Sequence, residues 1–238
     1  MCCLLVIKLI ILLGDKDQLA SVEAGAVLGD ICHRGGEEAP LARCIVELQK
    51  NHRFTRDNGM LELSRAINTG NTARVLELLR SAGRESSGVA GHALPSPKQL
   101  KDALRTRIVS GFGETVQARD PLDALRAFGR FRILAALRLG PYGVENLNRL
   151  AEEILAGEGL IQTRDRWYAG RPVMITRNDY QLKLFNGDIG IILPDPATGE
   201  PLAWFAGKDG QARSVTPLHL PAHETVFAMT VHKSQGSE

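Results

Sequence analysis

Three polar strings, each following an apolar run, hold the residues in this sequence that could do chemistry. The first is Leu12-Leu13-Gly14-Asp15-Lys16-Asp17-Gln18-Leu19. If the run before it is a strand of a parallel sheet, Gln18 stands just past a carboxyl end, where open α/β sheets place ligands. Its amide could hydrogen-bond a terminal phosphate or an attacking water. Taken alone, the string reads more simply as a polar turn after a core strand. The second is Leu48-Gln49-Lys50-Asn51-His52-Arg53-Phe54. A guanidinium there could stabilise charge on a transferring phosphoryl group through two-pronged pairing. A surface arginine is the commoner meaning of a lone Arg. The third runs from Ala228 to Glu238 and packs Thr230, His232, Lys233, Ser234 and Gln235 before Gly236. It offers donors for a nucleic-acid backbone and a glycine that permits close approach. A polar terminus would explain the polarity but not this string.

These strings need elements to hold them. Cys2 to Leu13 reads as a fully buried strand, followed by a short helix around Ala24 to His33. A loop at Gly35 to Pro40 precedes a second strand candidate, Leu41 to Gln49. Leu61, Ala66 and Ile67 share a helical face, which resumes at Val75, Leu76 and Leu79 after a break at Asn68 to Thr72. Ser81 to Pro97 is a linker, and two helices flank Asp120-Pro121, with Pro121 suited to a first turn. Arg132 to Leu137 is a core strand and Val144 to Leu155 a helix. After Arg164, short apolar runs at 173–175, 189–193, 203–205 and 214–216 are separated by turn signals, the pattern of a small all-β barrel. Thr225 to Val231 returns to strand.

Composition narrows the options. With 238 residues, 44% hydrophobic and 24% charged, the chain can bury its own core. A net charge of +2 means that any nucleic-acid face must be made by local concentration of cations. The four cysteines show no metal-ligand spacing, and a reduced, cytoplasmic chain without a bound metal is expected. The run to Leu13 contains Lys8 and falls short of the roughly 20 apolar residues that cross a bilayer. No small-residue cleavage site follows it, so no membrane association is expected.

The order and content of the strings resemble superfamily 1 helicases, and closely the exodeoxyribonuclease V alpha-subunit (RecD) family. Gly14 to Ala26 looks like helicase motif III, Leu48 to Phe54 motif IV, and Thr230 to Glu238 motif V. Arg166 to Asp179 and Leu184 to Gly190 are also typical of the family. The resemblance covers nearly the whole chain and is weakest across 82–118. It implies an α/β fold: part of a RecA-like, P-loop NTPase-type motor with an inserted SH3-like β-barrel. The implied divisions are 1–38, a remnant of the first RecA-like domain; 39–164, the start of the second; 165–222, the barrel; and 223–238, the return to the second.

The resemblance also implies roles. Gln18 and Arg53 would sense or stabilise the γ-phosphate, and Gly14, Asp15, Gly236 and Glu238 would approach the nucleotide. Thr230 and His232 would lie on the single-stranded DNA track, with Arg177 and Asn178 assigned to the same path. Lys233, Ser234 and Gln235 are placed with DNA, although the residues alone leave them undivided between DNA and ATP. Arg171 and Lys183 could line a phosphate path or be ordinary solvated charges; of the aromatics, Trp167, Tyr168, Phe185 and Trp204 are stacking candidates, with Trp204 and Phe205 better read as barrel filling. The intact enzyme would use ATP and Mg2+, act on single-stranded DNA and work beside nuclease and helicase beta and gamma subunits. A stand-alone helicase fragment, or a non-catalytic DNA- or protein-binding module, are the alternatives.

No G-x-x-x-x-G-K-[ST] occurs in the sequence, and no Asp-Glu pair follows an apolar strand upstream of Gly14. A shortened reading frame, or a piece cut from a longer chain, would account for this. The strand ending at Leu13 would then lack neighbours, so self-association is expected. Phosphoryl transfer depends on positioning and charge stabilisation by the missing groups. The purified chain is therefore expected to hydrolyse ATP no faster than a protein-free blank, with or without single-stranded DNA. Turnover that Gln18→Ala or Arg53→Ala abolishes would contradict this.

Overall fold

A computed structural model of the chain describes residues 10–15, 27–33, 42–46, 48, 59–81, 89–207 and 210–235. The chain divides into two compact units, 1–94 and 95–238.

In the first unit, α1 (Val27–His33) is followed by a 3₁₀ turn (Ala42–Cys44), α2 (Gly59–Asn68) and α3 (Thr72–Ser81). The expected helix break is made by backbone bonds, with Asn71 N–H donating to Ala66 O at 2.8 Å. The Asn71 side chain then accepts from Arg74 N–H at 3.1 Å, capping α3. Arg74 pairs with Glu62 on α2 and with Glu77 one turn on. Two strand expectations fail among the described residues. Residues 10–13 form no ladder and are exposed, Leu13 at 92%. Residues 42–46 and 48 form the 3₁₀ turn and irregular chain instead of a strand. An apolar run becomes a buried strand only when neighbours take its N–H and C=O groups. No described residue does so here.

The second unit begins with α4 (Leu100–Gln117), α5 (Pro121–Phe128), β1 (Ile133–Ala135) and α6 (Val144–Gly157). Asp120 caps α5 by accepting from Leu122 N–H at 2.9 Å and Asp123 N–H at 3.0 Å, and Pro121 occupies its first turn as expected. Then come β2 (Pro172–Ile175), β3 (Ile189–Pro194), β4 (Pro201–Ala206), β5 (Ala212–Val215), a 3₁₀ turn (Pro217–His219), β6 (His223–Thr225), β7 (Ala228–Thr230) and α7 (Val231–Ser234).

The strands form a five-stranded antiparallel sheet in the order β5-β4-β3-β2-β6 and a parallel pair, β1-β7. No ladder joins the outer strands β5 and β6 among the described residues, so the five strands form an open sheet. The runs at 173–175 and 191–193 are continuously apolar because both faces of this sheet are buried. Met174, Ile191 and Leu193 face the helices, in a cluster with Phe112 of α4, Phe128 of α5 and Ile154 of α6. Val173, Ile175 and Ile192 face the other way, onto Leu184, Ala203 and Phe205. Gly190 is required there, since a Cβ would lie 2.7 Å from the Phe205 ring. Phe112 meets Phe131 and Phe227 edge-on, at 4.9 and 5.0 Å between centroids.

The strand expected from Thr225 to Val231 is divided. β6 pairs with β2 in the antiparallel sheet, whereas β7 pairs with β1, and only Val226 and Phe227, both fully buried, lie between them. The edge of β7 away from β1 is closed by a side chain. Asn148 of α6 accepts from Ala228 N–H at 2.8 Å and donates to Ala228 O at 3.1 Å, all buried. Asn148→Ala would strand both backbone groups, so a loss of about 2–4 kcal/mol in denaturant unfolding is expected. A change below about 0.5 kcal/mol would mean that something else satisfies them.

Candidate nucleic-acid interface

Because β1 and β7 are parallel and in register from Ile133↔Ala228 to Ala135↔Thr230, the segments following them leave the pair at the same end. Arg138 follows β1 and Lys233 follows β7. The chain turns back after Arg138 through Gly140, at φ +91°, and Gly143, where a Cβ would meet Leu139 backbone at 2.5 Å. That turn lets Leu137 O accept from Val144 N–H at 3.0 Å and Arg138 O accept from Glu145 N–H at 3.2 Å. Carbonyls from the end of β1 thus satisfy the first donors of α6, which fixes the Arg138 backbone against that helix.

A cleft of about 320 Å³ opens there, lined among others by Arg138, Glu145, Asn148, Glu224, Thr230 and Lys233. Thr230 starts α7, its hydroxyl oxygen accepting from Lys233 N–H at 3.2 Å. The hydroxyl proton stays available for donation. Glu224 meets Lys233 Nζ at 2.6 Å through Oε1 and Arg138 Nη2 at 3.5 Å through Oε2. Arg138 Nε lies 3.7 Å from Glu145. Ser234 donates to Val231 O at 2.7 Å within its own turn, while His232 and Gln235 are exposed.

A second, more polar cleft of about 490 Å³ lies beside the other end of β6, where Arg166, Thr176, Arg177, Asn178, Asp179 and His223 contribute. Side chains pin its loop. Asn178 Oδ1 accepts from Asn186 N–H at 2.7 Å, and Asp179 Oδ1 from Gln181 and Leu182 N–H at 3.0 and 2.9 Å. Arg177 is exposed and enters no ion pair among the described residues. Trp167 sits beneath the guanidinium groups of Arg166 and Arg171, at 4.9 and 5.4 Å, and 5.3 Å from the His223 ring.

Most of the remaining candidates are engaged in structure. Arg171 donates to Thr225 Oγ1 at 3.0 Å and Arg166 O at 2.6 Å, and burial holds its guanidinium below the usual range. Tyr168 is buried and donates to Glu152 at 2.6 Å; burial, then this carboxylate, raises its hydroxyl above the ordinary tyrosine range. Phe205 is buried on one face of the sheet, and Trp204, partly buried, packs toward the helices on the other with its Nε1 donating to Leu193 O at 3.3 Å; both serve packing, on an open sheet and not inside a barrel. Lys183 is exposed at φ +52°, its carbonyl accepting from Arg213 at 2.7 Å. Phe185 is partly exposed and meets the more exposed ring of Tyr180 edge-on at 6.0 Å.

Of the residues singled out in the sequence, Thr230, His232, Lys233, Ser234 and Gln235 share one turn, with Arg177 and Asn178 in the second cleft. Gly14 and Asp15 are exposed in the first unit. Gln18, Arg53, Gly236 and Glu238 lie outside the described residues. Among the described residues no group of three or more His, Cys, Asp or Glu side chains could hold a metal ion. Of the residues assigned to the nucleotide only Gly14 and Asp15 are described, and no chemical step through ATP follows from those two. Nor is any described helix long and apolar enough to cross a membrane. Sequence reasoning missed Arg138, Glu224 and Tyr180. For Arg138 the signal was present, because it follows a strand that the sequence already marked as core.

A family model described as an AAA domain matches residues 8–88. The RecBCD enzyme subunit RecD of Mycolicibacterium smegmatis is 38% identical over 234 residues, covering 96% of this chain and 38% of the relative. That of Haemophilus influenzae is 34% identical, covering 96% of this chain and 41% of the relative. The ATP-dependent RecD2 DNA helicase of Deinococcus radiodurans is 26% identical, covering 96% and 27%. The chain spans about two fifths of the length of the RecD relatives it matches.

Titration of the Tyr168 hydroxyl ties stability to alkaline pH. Its folded pKa is raised, so its stabilisation is full below the unfolded value, about 10, and is lost as pH rises above that toward the folded value. Between about pH 8 and about pH 11, Tyr168→Phe should lose less of its urea midpoint than the parent chain does. Equal losses would show that other groups govern alkaline unfolding.

Proposed function

We propose that this chain, a member of the RecD helicase family along 96% of its length, is part of the motor of an ATP-dependent DNA helicase subunit of the exodeoxyribonuclease V type. In the whole enzyme it would help couple ATP hydrolysis, with Mg2+, to movement along single-stranded DNA in double-strand break repair and recombination. Its partners there would be the nuclease and helicase beta and gamma subunits. The observation that carries this reading is the Thr230–Gln235 turn, which leaves a parallel strand beside a second cation-bearing strand end. Open α/β sheets place their ligands at that end.

In this reading 1–38 is a remnant of the first RecA-like domain, 39–164 and 223–238 belong to the second, and 165–222 is an SH3-like barrel. An antiparallel sheet formed between α6 and β7 supports an inserted β module, although the sheet is open and its strand β6 (His223–Thr225) lies past position 222. Thr230, His232, Lys233, Ser234 and Gln235 contact the strand's backbone, with Arg177 and Asn178 extending the path. Gly14, Asp15, Gln18, Arg53, Gly236 and Glu238 serve the nucleotide, by resemblance to the family's motifs. A second reading is a non-catalytic DNA- or protein-binding module, favoured by a sequence that contains no phosphate-loop string.

Single-strand affinity of the full chain, measured by anisotropy with a labelled oligothymidylate, tests both readings. His232→Ala and Arg177→Ala should each weaken binding by about three- to tenfold. Arg177→Ala should also flatten the dependence of log K on log salt by about 0.7. Unchanged affinity in both variants would remove the strand-binding assignment.

A further inference from the structure

Resting on that strand-binding reading, we propose that the cleft beyond β1 and β7 receives one phosphodiester group of the single strand between Arg138 and Lys233, and that Glu224 holds the place until the strand arrives. Glu224 presents one oxygen to each cation, Oε1 to Lys233 at 2.6 Å and Oε2 to Arg138 at 3.5 Å. A phosphodiester has two unesterified oxygens and can make the same two-point contact with an ammonium and a guanidinium. The carboxylate stands where that group would bind.

The geometry permits this exchange. The Arg138 side chain is 62% exposed, and its distances to Glu224 and Glu145 are long, so water screens its pairings. Lys233 and Glu224 are more enclosed, at 31% and 26%, and form the firm half of the contact. Thr230 adds a third point, because its oxygen accepts within α7 while its proton can donate to an anion. The cleft, about 320 Å³, has room for the group.

Glu224 lies on β6, held by its register opposite Met174, whereas Lys233 lies on α7 beyond β7. The ion pair therefore links the antiparallel sheet to the turn that carries the strand-binding string. A carboxylate competing for the same cations lowers affinity and makes release easier, which suits a protein that must let go of each phosphate as it advances. Binding then exchanges one anion for another without leaving two cations facing each other uncompensated.

The test uses oligothymidylate binding by the full chain across a salt series. Glu224→Gln, which keeps shape and removes charge, should tighten binding about two- to fivefold. Arg138→Ala should weaken it at least threefold and flatten the log K against log salt slope by about 0.7. Circular-dichroism melting verifies that both variants fold; Arg138→Gln, which keeps the stem, replaces Arg138→Ala if that variant melts early. Inorganic phosphate offers the same pair of oxygens, so it should compete better than chloride at equal ionic strength, and Arg138→Ala should remove the difference. A phosphate advantage that survives in Arg138→Ala would place the competition elsewhere and overturn the assignment of this cleft. If His232→Ala weakens binding while the Glu224 and Arg138 variants match the parent, this inference alone fails. If the parent chain binds no single strand at low salt, the reading beneath it fails too.

Discussion

A buried amide holds the second unit's parallel pair in place. β7 is short, and only one of its edges is covered by β1. Asn148 closes the other edge at Ala228 by supplying both a donor and an acceptor, as a neighbouring strand would. Unpaired backbone groups at such a site would cost more than the pairing itself contributes. Asn148 comes from α6, whose first donors are satisfied by carbonyls of Leu137 and Arg138. One helix thus fixes the end of β1, the edge of β7 and the start of the Thr230 turn.

From that point the geometry propagates through covalent connection. β6 belongs to the antiparallel sheet and β7 to the parallel pair, with Val226 and Phe227 buried between them. Phe227 packs edge-on against Phe112, the aromatic centre of the helical core. A connection this short, with both residues fully enclosed, leaves little slack between the two sheets. A displacement of β6 would be felt at Thr230. The Glu224–Lys233 pair spans the same joint from the side-chain direction.

Electrostatics follow the same plan at both clefts. The chain is almost neutral overall, and its candidate strand-binding cations sit near carboxylates or rings of its own. Arg138 and Lys233 share Glu224, whereas Arg166 and Arg171 lie over Trp167. Arg171 shows that a basic residue in a suggestive string can be structural: its bonds to Thr225 and the Arg166 carbonyl staple β6 to the segment before β2. Arg177, without such a bond or ion pair among the described residues, is turned to solvent.

The sequence by itself determined α4 to α6 and most of the short strands of the second unit, though neither α7 nor the start of β6, because the signals of the former are local. Asp120-Pro121 announces a capped helix, and turn residues separate apolar runs at 173–175, 189–193 and 203–205. It also carried the resemblance to the RecD family, because the likeness runs through long strings and not single residues. Tertiary structure alone decided which apolar runs are paired. Leu13 is exposed and Val173 buried although both lie in apolar runs, because burial belongs to a strand's neighbours and not to its composition. Structure also divided 225–231 between two sheets and brought Arg138 beside Glu224, 86 positions away. Spacing along the chain carries no trace of such a meeting, because it is set by where strand ends converge.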